Sequence, residues 1–384
     1  VVMINESDST LSGIYTYLKQ IEPALENQGW EVFYIFLSTK ESDRQTKTLK
    51  IKIPKGNKII NFYKKNIWST EVYYSIKNFI EDVNPDIVHL HNFYYYQNPL
   101  KQALKNKAVV QTVHDYGLVN IFHDNIPDDF LIDNQKQNSN LISRRTGLFI
   151  DRTIFNSLKA RRQLVKKFIA PTRDLTTKLK SKNLPSLYLP YSSRPNFLAA
   201  TRSDKTNTVI YTGRLERTKG MACLLKAFEK VAKKFSDCRL VLAGQGQAEI
   251  AMKKYIQTKT IKNQIIFTGH LQNQELLKLL KTAKVAVCPS LWLENSPLSV
   301  IESLAVGVPT IASNIGGLPE MIIDGQNGFL IEPGNVEQLA NKMTALLTND
   351  KLNEDMGKKA KALSFLRPNP QTHVKQLINI YSEL

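Results

Sequence analysis

The sequence predicts an α/β protein that consists of two Rossmann-like domains. Short apolar runs, typical of buried parallel strands, alternate along the chain with segments of helical periodicity. The alternation is interrupted once, at the proline-flanked stretch Leu189-Pro190-Tyr191-Ser192-Ser193-Arg194-Pro195, which we interpret as an interdomain linker. The length of 384 residues also fits two domains of ordinary size. We therefore predict one domain over residues 1–193 and a second over residues 194–369, followed by a helix within residues 370–384.

The first half is predicted to begin with a strand, Val1–Asn5, and a helix, Gly13–Gln28. Apolar residues between Ile14 and Leu25 recur at helical spacing, and Gly29 follows as a stop signal. The other strands predicted in this half are Val32–Leu37, Asp86–Leu90, Ala108–Val113, Phe168–Ala170 and Leu187–Leu189.

The second half repeats the alternation of strand and helix. Its predicted strands are Thr208–Tyr211, Arg239–Ala243, Ile265–Thr268, Val285–Cys288 and Thr310–Ala312. Its predicted helices are Lys219–Phe235, Gln247–Thr258, Asn273–Lys281, Pro297–Val306 and, at the C-terminus, Gln371–Tyr381. In such sheets ligands bind outside the carboxyl ends of the strands, so segments that follow strands are the candidates for chemistry.

The composition is that of an ordinary globular protein, with 42% hydrophobic and 22% charged residues. We expect the three scattered cysteines, Cys223, Cys238 and Cys288, to be reduced packing residues rather than disulfide or zinc ligands. The sequence contains neither an apolar stretch of the length that a membrane span needs nor a signal segment. Because the chain opens with Val1 instead of Met, we expect residues to precede it, a removed leader included.

The net charge of +18 is spread unevenly along the chain. Between Lys136 and Lys182 there are thirteen Lys or Arg residues against two acids, Asp151 and Asp174. Such a run is compatible with a solvated helix face, with a surface for anionic lipid, or with nucleic-acid binding. Motifs typical of nucleic-acid binding are absent from the sequence, and we predict no nucleic-acid partner.

The strongest functional signal follows the predicted strand Val285–Cys288. Its residues are Pro289-Ser290-Leu291-Trp292-Leu293-Glu294-Asn295-Ser296-Pro297-Leu298-Ser299-Val300-Ile301-Glu302. We predict Ser296 as the N-cap and Pro297 as the first residue of a helix, whose free N–H groups suit a phosphate. Glu302, about 7.5 Å along the helix axis, could accept hydrogen bonds from a ribose diol, and Glu294 from sugar hydroxyls. An ordinary capped helix with two acidic residues is the alternative interpretation of this segment alone.

Two further loops follow predicted strands. The loop Thr212-Gly213-Arg214-Leu215-Glu216-Arg217-Thr218-Lys219-Gly220 brings the cations Arg214 and Lys219 to the same sheet edge. Two cations and a helix N-terminus suit a diphosphate leaving group, although a solvated basic loop would have the same composition. The second loop, Gly316-Gly317-Leu318-Pro319-Glu320, would permit close approach of a ligand, or form a common turn.

Together these segments resemble the retaining glycosyltransferases of family 4, also called glycosyl transferases group 1, which have the GT-B fold. The resemblance is dense over residues 208–334 and looser in the first half. The matching pieces of the second half are Gly213-Arg214-Leu215, Lys219-Gly220, Leu242-Ala243-Gly244-Gln245-Gly246, Phe267-Thr268-Gly269, Glu294 and Glu302 with seven residues between them, Gly307-Val308-Pro309, Gly316-Gly317 with Glu320, and Asp324-Gly325 with Asn327-Gly328-Phe329-Leu330. Those of the first half are Ser12-Gly13, Asp86-Ile87-Val88-His89-Leu90-His91-Asn92 and Thr112-Val113-His114-Asp115.

The resemblance implies two Rossmann-like domains that face each other across a cleft. Residues 1–193 would bind the acceptor, residues 194–369 would bind the nucleotide-sugar, and the helix in residues 370–384 would cross back to the first domain. It also implies the roles of individual residues. His114, Arg214, Lys219 and Glu294 would be catalytic. The donor would be bound by Gly13, Gly213, Arg214, Lys219, Gly244, Gly269, Asn295, Ser296, Pro297, Leu298 and Glu302.

Within these roles, Glu302 would bind the ribose hydroxyls and Glu294 those of the transferred sugar. Arg214 and Lys219 would neutralise the diphosphate, and His114 would touch the sugar near the reacting carbon. The residues 295–298 would form the loop under the diphosphate, and Gly13 would let its own loop approach the phosphates.

The chain departs from the family pattern at two places. Ser12 stands where the family has the first glycine of a pair, and Asn295-Ser296-Pro297 replaces the commoner Gly-Phe-Gly, although a subgroup carries Glu-Asn-x-Pro. The second departure leaves the identity of the donor sugar open.

The predicted function is retaining transfer of a hexose-type sugar from a nucleotide-diphosphate sugar, with UDP favoured, to a hydroxyl of a lipid-linked or polysaccharide glycan. We predict neither a cofactor nor a metal. The sequence contains no D-x-D motif, and cationic side chains can perform the same electrostatic task. We expect a cytoplasmic enzyme, peripheral on the inner face of the cell membrane, which it would reach through the basic first domain.

Four alternatives accompany this prediction. The pair Gly244 and Gly246 would fit a nicotinamide-dependent oxidoreductase, but Glu249 occupies the position of the third glycine. His89, His91 and His114 with Asp115 could form the metal site of a hydrolase. A non-catalytic membrane-surface or scaffold protein would explain the basic run, and a sugar-nucleotide epimerase would share the fold.

Overall fold

The computed structural model describes residues 1–9, 12–38, 43–52, 68–93, 96–119, 161–203 and 205–384. The described residues divide into two compact units. The first unit contains the described residues up to 119, residues 161–191, and Pro370–Leu384. The second unit contains the described residues of Ser192–Asn369.

The first unit is built on a sheet of eight strands in the order β3-β4-β2-β1-β5-β6-β7-β8. Every neighbouring pair is parallel except β3 and β4. The strands are β1 (Val2–Asn5), β2 (Phe33–Ser38), β3 (Asp43–Gln45), β4 (Thr48–Lys52), β5 (Val88–Leu90), β6 (Val109–Thr112), β7 (Lys167–Ala170) and β8 (Ser186–Tyr188). Its named helices are α1 (Gly13–Glu26), α2 (Thr70–Val83), α3 (Gln97–Ala103), α4 (Arg173–Ser181) and the C-terminal helix α12 (Pro370–Ser382).

The second unit is built on a fully parallel sheet of six strands in the order β11-β10-β9-β12-β13-β14. The strands are β9 (Thr206–Thr212), β10 (Arg239–Ala243), β11 (Ile265–Gly269), β12 (Ala283–Cys288), β13 (Thr310–Ser313) and β14 (Gly328–Ile331). The helices are α5 (Pro195–Ala199), α6 (Met221–Ala232), α7 (Glu249–Ile256), α8 (Asn273–Thr282), α9 (Leu298–Val306), α10 (Val336–Thr348) and α11 (Asp350–Ser364).

The strand order of the second unit fixes where a ligand can bind. Strands are added first to one side of β9 and then, from β12 on, to the other, which is the doubly wound order. The helices that follow β9 and β12, α6 and α9, therefore pack on opposite faces of the sheet, and such a reversal leaves a crevice at its carboxyl edge. All six residues of β12 are buried, as expected for a central strand covered by helices on both faces.

The C-terminal helix belongs to the first unit, where it packs against α1. Its buried side chains include His373, Leu377 and Tyr381, and Tyr17 of α1 bonds His373 at 2.9 Å. Trp30 also packs against Tyr381, with 5.4 Å between ring centroids. The two Rossmann-like sheets and the return of the last helix to the first unit confirm the predicted α/β class.

Several predicted boundaries were wrong. The helix predicted from Lys219 begins at Met221, because Gly220 adopts a left-handed backbone (φ 74°) that separates it from a single 3-10 turn at Arg217–Lys219. The strand predicted at Leu187–Leu189 lies one residue earlier. Strand β3 was not predicted, since all three of its residues are exposed and carry no apolar pattern.

The remaining composition-based expectations have mixed outcomes. All three cysteines are free and buried, as predicted. No helix within the described residues is both long and apolar enough to cross a bilayer. The interpretation of the basic run as one solvated face was wrong for Arg161, which is fully buried and donates to Gln111 at 3.1 Å. The part of that run from 136 to 160 lies outside the described residues.

Candidate active site

The loops that follow β9 and β12 are joined by backbone hydrogen bonds at the carboxyl edge of the second sheet. The carbonyl oxygen of Thr218 accepts from the N–H of Leu291 at 2.8 Å and from that of Trp292 at 3.2 Å. A side chain at Gly220 would overlap the carbonyl oxygen of Pro289, so the two loops approach closer than any other residue would permit. These contacts fix the position of Lys219, which lies between Thr218 and Gly220.

Lys219 and Glu294 form the central ion pair of the site. Lys219 Nζ donates to Glu294 Oε1 at 2.5 Å, and the two side chains are only 20% and 10% exposed. The backbone of Glu294 is held from its other side, because its carbonyl oxygen accepts from Gly317 N at 2.7 Å. A Cβ at Gly316 would overlap the same carbonyl, which explains the two adjacent glycines after β13. The structure thus brings together three segments that the sequence singled out separately.

Arg214 lies in the same loop as Lys219 but has a different partner. Its guanidinium is 62% exposed and pairs with Glu216 at 2.8 Å. Its backbone is fixed, since its carbonyl oxygen accepts from Tyr211 Oη at 2.7 Å. Arg214 is therefore available at the rim of the site and does not contact the Lys219–Glu294 pair among the described residues.

Helix α9 begins one residue later than predicted. Pro297 has an extended backbone (ψ 124°), so it is the N-cap, and the first helical residue is Leu298. The prediction of Ser296 as the N-cap was wrong. Instead, Ser296 is buried, and its hydroxyl has no hydrogen-bond partner among the described residues. Buried hydroxyls are normally satisfied by protein groups or by ordered water, so this one is a candidate partner for a polar ligand. Asn295, next to it, is buried as well.

Glu302 lies in the second turn of α9 and is also buried. Its Oε1 atom is 3.1 Å from a terminal nitrogen of Arg194, and the two side chains are 9% and 11% exposed. Burial raises the pKa of Glu302 to about 7, and Arg194 opposes this rise. The carboxyl group can therefore change protonation near neutral pH.

The three other glycines assigned to the donor lie at neighbouring strand ends. Gly213 follows β9, Gly244 follows β10, and Gly269 ends β11. Gly244 pairs with Gly269 in an isolated bridge, and a Cβ at Gly244 would overlap the carbonyl oxygen of Gly213. Gly244 therefore permits a close approach of the backbone that no other residue would allow at this sheet edge.

In the first unit, Gly13 and His114 lie at two different strand ends. Gly13 is the exposed first residue of α1, the helix that follows β1. His114 follows β6, and both of its ring nitrogens are bonded, Nε2 to His91 Nδ1 at 2.8 Å and Nδ1 to the hydroxyl of Tyr191. Gly13 and His114 belong to the first unit, whereas the Lys219–Glu294 pair belongs to the second.

His114 belongs to a larger buried network of histidines and tyrosines. His89 bonds Tyr381 at 2.7 Å and Thr112 at 2.8 Å, and His373 bonds Tyr17. Because His373 Nδ1 lies 2.9 Å from the carbonyl oxygen of Pro190, which can only accept, its proton is on Nδ1 and Tyr17 donates to Nε2. The network fastens the C-terminal helix to the strand ends of the first sheet.

These histidines are uncharged at neutral pH. Burial lowers the pKa of His89 and of His114 to about 3 and that of His373 to about 4, and it also lowers the pKa of His91. The hydrolase alternative needs ring nitrogens free for a metal, whereas both nitrogens of His89 and of His114 are hydrogen-bonded, and of these three histidines only His91 has a nitrogen, Nε2, without a partner among the described residues. No group of potential ligands in the described residues is arranged to hold a metal ion.

Sequence reasoning missed two residues of these sites. Arg194 and Tyr191 were both assigned to the linker, and neither was predicted to be a site residue. The available signal was a charged residue and an aromatic residue in a short proline-flanked segment, but their partners are distant in sequence, at Glu302 and His114. Only the folded chain reveals these pairs.

Comparison with protein families identifies both halves of the chain. Residues 11–177 match the model described as Glycosyltransferase Family 4, and residues 193–363 match that described as Glycosyl transferases group 1. Between them the two matches include nearly all of the candidate site residues.

Individual relatives are distant. The chain is 25% identical over 181 residues to the alpha-D-kanosaminyltransferase of Streptomyces kanamyceticus, a match that covers 47% of each chain. It is 31% identical over 164 residues to the phosphatidyl-myo-inositol mannosyltransferase of Mycobacterium leprae, covering 42% of each. The aligned part of the chain thus spans about half the length of these curated relatives.

A solved structure shares the whole fold. The Anabaena protein HepE, crystallised with UDP and glucose, superimposes with a TM-score of 0.74 over 100% of this chain and 99% of its own, at 14% identity. At this identity the match establishes the fold alone.

The buried histidines predict an acid-sensitive first unit. Their pKa in the folded unit is below the value of about 6.5 expected in the unfolded chain, so the full stability is present above that pH and is lost as the pH falls towards 3. We expect each to lower the free energy of unfolding by about 1–2 kcal/mol between pH 7 and pH 5. Urea unfolding, followed by the fluorescence of Trp30 in a variant with Trp68→Phe and Trp292→Phe, measures this difference.

The variant His89→Gln supplies the comparison, because glutamine can form hydrogen bonds but gains no proton. Its loss of stability between pH 7 and pH 5 should be smaller by about 1–2 kcal/mol, whatever its absolute stability. An identical pH dependence in both proteins would contradict the assignment of a neutral, buried His89.

Proposed function

The chain belongs to glycosyltransferase family 4, of the GT-B fold, and we propose that it is a retaining, metal-independent glycosyltransferase acting on a nucleotide-diphosphate sugar. The observation that supports this proposal is the buried Lys219–Glu294 pair at the crevice beside β9 and β12. Glu294 lies in the loop that leads into the start of α9, and the same loop carries Ser296, whose hydroxyl has no partner among the described residues. A cation, a helix N-terminus and a free hydroxyl form a site for a diphosphate, and the carboxylate forms one for sugar hydroxyls.

In this proposal Lys219 stabilises the charge that develops on the diphosphate as the bond to the sugar breaks. A positive charge in a site with little water is worth more than in solution, because fewer water molecules screen it. Arg214, exposed at the rim, would exchange Glu216 for the diphosphate when the donor binds. The free N–H groups of the first turn of α9, beginning at Leu298, would complete the anion site.

Glu294 is proposed to contact the sugar while its carboxylate remains paired with Lys219. Its backbone is fixed between Gly316 and Gly317, so its carboxylate has little freedom to turn away. Glu302 is proposed to accept hydrogen bonds from the ribose diol. A carboxylate is suited to both tasks, since it offers two acceptor oxygens and no donor.

The reaction step follows from these contacts. The acceptor hydroxyl attacks the anomeric carbon from the face that the diphosphate leaves, the carbon–oxygen bond to the diphosphate breaks, and the hydroxyl proton passes to the leaving oxygen. The configuration at the anomeric carbon is therefore retained. His114 would contact the sugar near the reacting carbon through its ring edge, since both of its nitrogens are already bonded within the first unit.

Two relatives support the substrate classes. HepE was crystallised with UDP and glucose, which supports UDP as the nucleotide and a hexose as the sugar. The mannosyltransferase of Mycobacterium leprae is named for phosphatidyl-myo-inositol, which supports a lipid-linked acceptor. A glycan or lipid-linked hydroxyl is therefore the proposed acceptor, and the cytoplasm is the proposed location.

We propose that the protein acts at an anionic membrane surface. Among the described basic residues of the predicted run, four are exposed and form no ion pair with another described residue: Arg162, Lys166, Lys180 and Lys182. Lys178 and Lys167 are instead paired with Asp174 and Glu383. Within the described part of the run, the strength of the basic surface therefore depends on the exposed cations without an ion pair.

Nucleotide binding is the first test of this function. A bound donor stabilises the protein by RT ln(1 + [L]/Kd), so at a hundredfold excess over Kd the gain is about 2.7 kcal/mol. We expect UDP-glucose or UDP-N-acetylglucosamine to raise the unfolding temperature by several degrees in a thermal-shift panel that also contains GDP- and ADP-sugars and NAD. A shift with NAD alone would favour the oxidoreductase.

Removal of the central cation is the second test. Lys219→Ala should lower kcat/KM by about 10²–10³, the scale expected for the loss of one contact to the developing charge. The matched control is Lys230→Ala, which breaks an exposed Lys–Glu pair with Glu337 on the same unit and should change kcat/KM by less than twofold. Nucleotide release from the donor in the presence of acceptor is measured. Equal turnover in both variants would exclude this site.

Membrane docking is tested by co-sedimentation with liposomes. Each well-placed lysine contributes about 1 kcal/mol at an anionic surface, so Lys180→Glu with Lys182→Glu should reduce binding to phosphatidylserine vesicles by at least tenfold. Binding by the wild type should disappear with neutral phosphatidylcholine vesicles and weaken with salt. Liposome binding that is independent of lipid charge and salt, and unchanged by both substitutions, would contradict the proposal.

A further inference from the structure

Arg194 connects Glu302 to the N-terminus of a second helix. One terminal nitrogen of its guanidinium lies 3.1 Å from Glu302 Oε1 and donates to Asn273 Oδ1 at 2.6 Å. Asn273 is the first residue of α8, and Arg194 itself is the N-cap of α5. The guanidinium is therefore held by two separate elements of the second unit and is only 11% exposed.

The segment that carries Arg194 is itself fixed by backbone contacts. Ser193 N donates to the carbonyl oxygen of Pro368 at 3.1 Å, and Phe197 of α5 is fully buried. The backbone on both sides of Arg194 is therefore held in place, while its side chain contacts Glu302. A long flexible side chain gains most from such an anchor, because less conformational entropy is lost when it forms the pair.

Arg194 is the charged group in contact with Glu302 within the described residues. The other cations on the elements around α9 have different partners. Lys361 of α11 donates to the carbonyl oxygen of Ala200, Lys284 of β12 bonds Leu347 and Asp350, and Arg202 donates to Ala283. On α8, the group that faces the pair is the neutral Asn273. Removal of Arg194 would therefore leave a buried carboxyl group without a countercharge.

A buried carboxylate without a countercharge takes up a proton. A nearby cation can hold the pKa of a carboxyl group one to three units lower than it would otherwise be. The pKa of Glu302 is about 7 even with Arg194 in place, so its charge at neutral pH depends on that guanidinium. A protonated carboxyl has one acceptor fewer for a diol and is a weaker partner for both hydroxyls.

The pair also orients the carboxylate. Oε1 faces Arg194, whereas no hydrogen bond to Oε2 from a described residue is present, so Oε2 is left to accept from a ligand. We propose that Arg194 is a positioning residue for nucleotide binding, which keeps Glu302 ionised and turned so that its second oxygen accepts hydrogen bonds from the ribose diol. This inference rests on the proposed function, in which Glu302 binds the ribose.

A purely structural role for Arg194 makes different predictions. If the guanidinium only secured α5 and α8, its loss would lower stability at every pH and would affect binding equally at every pH. If it maintains the charge of Glu302, its loss weakens binding near neutral pH, and the defect disappears in alkaline solution, where Glu302 ionises without help. The pH dependence therefore separates the two roles.

The experiment measures the Kd of UDP-glucose by calorimetry from pH 6 to pH 9. Its diphosphate is a diester that does not titrate in this range, and because the uracil ring begins to lose a proton near pH 9, each variant is compared with the wild type at the same pH. The variants are Arg194→Gln, Arg194→Lys and Glu302→Gln, with Arg202→Gln as the control for loss of a partly buried arginine elsewhere in the unit. Circular dichroism confirms that each variant is folded.

The expected results are specific to each variant. Arg194→Gln should bind about 10–30-fold more weakly than the wild type at pH 7 and within about threefold at pH 9, since one unit of pKa changes the ionised fraction about tenfold. Arg194→Lys should restore binding to within about fivefold. Glu302→Gln should bind weakly with no pH dependence, and Arg202→Gln should follow the wild type.

Two failures are distinguishable. If the wild type does not bind UDP-glucose at any pH, the proposed function for this nucleotide is wrong, and the inference falls with it. If the wild type binds and Arg194→Gln shows the same affinity, or a defect that is constant from pH 6 to pH 9, the function stands and the inference is overturned. Should Arg194→Gln not fold, the same comparison is made with Arg194→Met, which also removes the charge, and the same two outcomes overturn the inference.

Discussion

The candidate site depends on one backbone contact, the carbonyl oxygen of Thr218 accepting the N–H groups of Leu291 and Trp292. This contact joins the loop after β9 to the loop after β12, and it places Lys219 beside Glu294 although 75 residues separate them. Neither side chain could hold this position alone, because lysine is flexible and a buried carboxylate is unfavourable without a countercharge. The glycines at 220 and 316 matter for the same reason, since a Cβ at either position would push the loops apart.

The fold explains why these loops meet. Strands β9 and β12 are adjacent in the sheet and parallel, so their carboxyl ends lie at the same edge, and the order of the strands reverses between them. The sequence was sufficient to predict this edge, because both strands are continuous apolar runs and both are followed by polar, glycine-containing loops. The roles of Lys219, Glu294 and Glu302 were assigned from the resemblance of their segments to a known family, and they remain predictions.

Other features could not be predicted from local pattern. The pairing of Arg194 with Glu302 depends on tertiary packing between α5, α8 and α9, and nothing in the proline-flanked linker indicates it. The start of α9 was misplaced because a serine before a proline is a common capping pattern, whereas the backbone of Pro297 is still extended. The histidine network of the first unit was interpreted as a metal site in one alternative, because sequence spacing does not show that ring nitrogens bond each other. These residues instead hold the C-terminal helix in place, and they give the first unit a buried cluster of neutral polar groups.

The central claim is that a nucleotide-diphosphate sugar binds with its diphosphate at Lys219 and the start of α9. A crystal structure of the protein with UDP-glucose bound tests this claim most directly. The account predicts diphosphate oxygens within hydrogen-bond distance of Lys219 Nζ and of backbone N–H groups in the first turn of α9, with the sugar against Glu294 and the ribose against Glu302. A nucleotide bound elsewhere in the second unit, with the Lys219–Glu294 pair untouched, would contradict it.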